Sequence, residues 1–191
     1  LIKEIKKYFK NIYDQNNTVA SYLLLGKTYK NLQCVLREAK NGNVSSVVEL
    51  CRSGQEAIDL VYLFSEAKGQ KYLKKWFKGE IISNKEAREL MDKSVNEMLA
   101  SLSKSQVSVK DMKADVYWIY SLYTHSGFGS LLDMIDVYHE DFDFDGYAGF
   151  HYTRQYLHLV HNIVVNILLG LKNIFLICKD IENLSKTEDL L

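Results

Sequence analysis

Not one of the 191 residues is proline. Proline marks loops and edge strands, so here only glycine and clusters of Asn, Asp and Ser can interrupt regular structure. Between those breakers apolar residues recur at helical spacing, and strand-type alternation is nearly absent. Helices are expected from about Ile2 to Tyr13 and from about Thr18 to Ala39, on either side of Asp14-Gln-Asn-Asn17. Asn41-Gly-Asn43 reads as a C-cap and turn before a strongly apolar helix from about Val44 to Ala67. Gly69 opens a short amphipathic piece with Tyr72, Trp76 and Phe77, and Ser83 with Glu86 forms a capping box for a charged helix to about Ser103. Ser108 and Asp111 open a helix ending near His125, where Ser126-Gly-Phe-Gly129 turns the chain. A short helix from Ser130 to Tyr138, an acidic loop from Glu140 to Gly146 and a last helix from about Tyr152 to Leu184 complete the pattern. The expected fold is all-α, a single-domain bundle of about six or seven helices over residues 1–191, with the third and last near its centre.

Composition supports a folded core, since 47% of residues are hydrophobic and 25% charged. Lys+Arg and Asp+Glu both number 24, which argues against a strongly basic nucleic-acid-coating surface while leaving a local patch open. Cys34, Cys51 and Cys178 are far apart, odd in number and free of CxxC spacing, the pattern of reduced, buried thiols in a cytoplasmic protein. No signal peptide is visible, although the chain starts at Leu1 without a methionine. The apolar run Ile163 to Cys178 is broken by Asn166, Lys172 and Asn173, and it reads as a buried central helix, short for a bilayer span of about 20 residues. No membrane association is expected.

Charged residues set into apolar helices are the first functional signal. Arg52, Glu56 and Asp59 lie within about 60° of one another on the Val44–Ala67 helix, with Gln55 at the margin. Either they form a solvated face, or a partly buried Arg–carboxylate pair lines a pocket, and burying such charges is expensive unless they are paired. The aromatic segment Asp115 to His125 places His125 at a helix C-terminus, where the macrodipole favours its protonated form; a capping role competes there with a catalytic one.

Arg52-Ser53-x-x-Glu56, with Tyr120-x-x-Tyr123-x-His125 before a Ser-Gly turn, resembles a family of uncharacterised bacterial all-helical proteins over about residues 40–175. The resemblance implies that Arg52, Glu56 and His125 meet in one pocket, to which Asp59 and Tyr120 are the natural additions. The ligand or protein partner is left unknown. A second stretch, Arg154 to His161, resembles the Arg-x(4–6)-His motif of HEPN domains, helical bundles that often act as metal-independent ribonucleases when dimerised. That resemblance implies RNA as the partner, a homodimer, phosphate stabilisation by Arg154 and proton transfer by His161.

Metal sites are expected to be absent. His158 and His161 have neither an HExxH pattern nor a cysteine nearby for zinc. Asp141-Phe-Asp-Phe-Asp-Gly146 matches half a calcium loop, but Tyr152 stands where a bidentate Glu belongs. No cofactor is implied. The expectation is a binding domain built on Arg52, Glu56, Asp59, Tyr120 and His125, with the Arg154/His161 nuclease as alternative.

Overall fold

Apolar residues at helical spacing, bounded by the asparagine clusters, produce the two long helices that organise the rest. The computed structural model describes residues 1–101, 117–118, 120–121, 135–136, 141–142 and 150–191. Asn16 accepts from the Val19 amide at 2.9 Å and caps α1, Asn17–Lys40. Gly42, at φ 74, supplies the left-handed residue of the turn into α2, Val44–Ser65. The two helices pack along their length. Gly54 lets them approach, because a Cβ there would sit 3.2 Å from Cγ2 of Thr28.

Around this pair are α3, Gln70–Phe77; α4, Asn84–Ser101; α5, Phe150–Ile177; and α6, Ile181–Glu188. Helix α2 touches α1, α3, α4 and α5, which puts it at the centre of the bundle. The core gathers Val47, Val48, Ile58, Val61 and Phe64 from α2 with Leu25 and Val35 from α1 and Ile163, Ile174 and Phe175 from α5. At roughly 1.5–3 kcal/mol for each fully buried large apolar side chain, this cluster is the main stabilising term. The fold is an all-α bundle.

Four expectations are corrected. The first helix does not reach Tyr13; it is a 3-10 helix, Ile2–Tyr8, which ends where Phe9 turns extended and packs on Tyr22 at 5.4 Å. The expected short helix Ser130–Tyr138 is contradicted by a two-residue antiparallel pair, β1, Ile135–Asp136, with β2, Asp141–Phe142. Ile135, β-branched, favours extended backbone there. The last helix is not continuous to Leu184. Lys179 adopts φ 55 and Asp180 then caps α6 by accepting from the Asn183 amide at 3.2 Å.

Helix α5 is also less central than expected. It buries Ile163, Ile167, Leu171, Ile174 and Phe175, but Leu157 and Leu176 are about three-fifths exposed (61% and 59%). Residues Leu157–Ile177 are long and apolar enough to cross a membrane by length and composition alone, a test that a soluble core helix also passes.

The 180 junction is tied to the other end of the described chain. Lys7 Nζ lies 2.7 Å from Asp180 Oδ2, the Tyr8 hydroxyl donates to the same oxygen, and Asn183 Nδ2 donates to it at 2.8 Å. These donors hold the Asp180 carboxyl well below the usual carboxylate range, Lys7 foremost.

Candidate functional site

Helix α2 presents its polar residues at two depths. Arg52 Nε meets Glu56 Oε1 at 2.9 Å, one helical turn apart, with both side chains about a quarter exposed (23% and 29%). One turn further on, Asp59 is fully buried. Gln55 Nε2 donates to Asp59 Oδ1 at 3.0 Å, and the Tyr117 hydroxyl donates to Oδ2 at 2.6 Å. Asn166 of α5 donates to Gln55 Oε1 at 3.1 Å. The result is a directed hydrogen-bond chain from α5 through α2 to the helical residues Tyr117, Trp118, Tyr120 and Ser121.

Aromatic packing encloses this chain. Tyr117 and Tyr120 meet edge to face with centroids 5.9 Å apart, and the Arg88 guanidinium of α4 stacks 4.0 Å above the Tyr117 ring. Burial pushes the Tyr117 hydroxyl well above its ordinary pKa; the charge and hydrogen bond of Asp59 add to this, Glu56 adds less, and Arg88 opposes it. Tyr120 moves the same way, by burial first and then through Cys51 and Asp59. Tyr62 is raised to about 12 by burial, with Asp59 adding. All three tyrosines are therefore neutral at physiological pH, and Tyr117 is the one that donates to Asp59.

Four of the five residues expected to bind a ligand thus belong to one neighbourhood: Arg52 and Glu56 at its rim, Asp59 and Tyr120 in its floor. His125, the fifth, lies outside the described residues. Gln55 stood only at the margin of the stripe. Asn166 and Arg88 were not anticipated, although Asn166 was visible as an interruption of the apolar run. Trp118 is exposed, and of the three cysteines expected to be buried only Cys51 is, Cys34 and Cys178 being half-buried.

The second expected site lies on a different side of α5. His158, His161 and Asn162 are exposed there. Arg154 belongs to α5, and its side chain is outside the described residues. Five residues separate His161 from Asn166, about 140° around the helix, so the histidine face turns away from the polar cluster. Among the described residues no three His, Cys, Asp or Glu side chains gather where a metal ion could be held. A cleft of about 100 Å³ beside Leu63, Glu66 and Leu90 is also lined by Lys68 and Glu97, which form an ion pair at 2.9 Å. At that volume it has room for a few waters only.

Compared with protein-family models, with curated proteins and with solved structures, the chain matches none. The two family resemblances therefore rest on their own short motifs.

Proposed function

We propose that this chain is a binding domain whose ligand docks against Arg52 and Glu56, above a floor held rigid by Asp59, Tyr117 and Gln55. The observation that carries this reading is the fully buried Asp59 carboxylate with a donor on each oxygen. Apolar filling of similar volume is often as stable as a buried charge network or more so, which supports a use for the polar floor beyond stability. Asp59 has no exposed surface, so it positions its neighbours and does not touch ligand. The rim pair is neutral overall. A ligand of one charge would leave one partner unmatched, whereas a zwitterion, with a carboxylate for Arg52 and an ammonium for Glu56, satisfies both. His125 belongs to the same proposal as a third rim group.

The test is a thermal-shift panel of α-amino acids and dipeptides at millimolar concentration, beside analogues lacking either charge. Stabilisation by zwitterions only, lost in Arg52→Gln and in Glu56→Gln, supports the reading. Shifts that survive in both variants, or no shift with any compound, would sink it.

The alternative is a HEPN-like ribonuclease acting as a homodimer through Arg154 and His161. It draws support from the outward exposure of His158 and His161. Its check is cleavage of labelled RNA in excess EDTA by wild type and by His161→Ala, with the oligomeric state measured in parallel. A strict monomer, or cleavage untouched by the substitution, rejects it. The free thiols of Cys34, Cys51 and Cys178 support a reducing, cytoplasmic compartment under either reading.

A further inference from the structure

Helix α3 separates charge from apolar surface more sharply than its eight residues suggest. Lys71, Lys74, Lys75 and the capping Lys78 fall within an arc of about 100° at 100° per residue. All four are exposed. On the opposite side Tyr72 and Leu73 are buried, and Trp76 packs on Phe64 with ring centroids 5.6 Å apart. Among the described residues none of the four lysines forms a salt bridge, whereas the neighbouring Lys68 is held by Glu97. Lys71 rests over the Tyr72 ring at 4.7 Å. No acidic residue occurs between Glu66 and Glu80. In a chain with 24 cationic and 24 anionic residues, this is a concentrated local excess of positive charge.

We infer that the lysine arc of α3 is a docking surface for the phosphate backbone of a single-stranded nucleic acid. Four like charges on one arc repel one another, and nothing in the core requires lysine there. A linear polyanion relieves that repulsion along the whole row, which extends about 10 Å at 1.5 Å per residue. Flexible ammonium groups contact phosphates without reading bases, so recognition is independent of sequence. A lipid surface fits less well, because the apolar side of α3 is committed to the core and leaves little to insert below the headgroups. This surface is separate from the Arg52–Glu56 cluster and does not depend on that reading.

The experiment is fluorescence anisotropy of a labelled oligouridylate titrated with the full chain at several salt concentrations. Four neutralised phosphates give a slope of log affinity against log salt of about −3, at about −0.7 each. Between about 50 and 200 mM salt that is a loss of about 50-fold. Each single Lys→Gln substitution on the arc should make the slope shallower by about 0.7, and K71Q/K74Q/K75Q/K78Q should abolish binding. A charge-matched control, K3Q/K27Q/K30Q/K40Q, should bind as wild type. If the quadruple arc variant loses its melting transition, the slopes of the single variants decide. Equal weakening by arc and control substitutions overturns the proposal, as does absence of binding at low salt. Arc-dependent capture of phosphatidylserine vesicles or polyglutamate without capture of oligouridylate overturns it as well, and assigns the surface to that partner.

Discussion

Replacing Tyr117 by phenylalanine removes one oxygen and leaves the ring where Tyr120 and Arg88 pack against it. The lost contact is the 2.6 Å hydrogen bond to the Asp59 carboxylate, which has no solvent to turn to. Hydrogen bonds to charged groups contribute about 1.5–3 kcal/mol, so Tyr117→Phe should cost about 2 kcal/mol. For a chain of this size that lowers the melting temperature by about 4–8 °C. Urea unfolding followed by far-UV circular dichroism gives the free energy directly, provided the slope with denaturant is unchanged. Asp59→Leu alone should cost more, because it leaves the Tyr117 hydroxyl and the Gln55 amide without their acceptor. In the double variant the two losses should overlap, with a coupling energy of about 1–2 kcal/mol. A Tyr117→Phe protein within about 0.5 kcal/mol of wild type, or two strictly additive losses, would mean the carboxylate is not held as described.

Three further outcomes follow from the same geometry. Gly69→Ala places a Cβ 1.6 Å from the Leu63 carbonyl oxygen and should cost about 3 kcal/mol, whereas Gly26→Ala, with nothing within 4 Å, should stabilise α1 by about 0.5–1 kcal/mol; paired thermal melts decide. The buried Cys51 thiol and Tyr62 hydroxyl are pushed up to about 12, so their contribution is intact below the ordinary values near 9 and 10 and is lost as pH rises towards 12. Asp180 has the opposite sign: its contribution is present above about pH 4 and fades as pH falls further, and a urea midpoint profile against pH should be flat between the two limits. Thiol labelling of the folded protein should modify the half-buried Cys34 and Cys178 well before Cys51, with urea erasing the difference.

The sequence was informative wherever local chemistry decides. The Asp14–Asn17 breaker and the Asn41-Gly-Asn43 turn placed α1 and the start of α2 within a residue or two, because the groups that bound those helices lie beside them in sequence. The break at Lys179 was not legible. Its cause is the cap at Asp180 and the grip of Lys7 and Tyr8, whose positions are fixed only by tertiary packing. Helical spacing also grouped Arg52, Glu56 and Asp59, but angle around a helix carries no information on depth. That Arg52 and Glu56 reach the rim while Asp59 is sealed follows from Arg88, Tyr117 and Asn166, each on another helix. The lysines of α3 were readable as a spacing. Their meaning depends on where Tyr72 and Leu73 anchor the helix.

The contact between Tyr8 and Asp180 spans 172 positions of sequence, and that span has a consequence during synthesis. Translation adds about 5–20 residues per second, so residue 8 waits on the order of ten seconds or more before residue 180 exists. Throughout that interval Ile5, fully covered in the finished bundle, lacks the α5–α6 corner that later clasps its helix. The α1–α2 hairpin needs only neighbouring residues and can form early, which makes closure of the clasp a late event. A nascent or truncated chain ending before residue 180 should therefore carry a loose amphipathic segment around Ile5, uncovered on its apolar side, of the kind that chaperones hold.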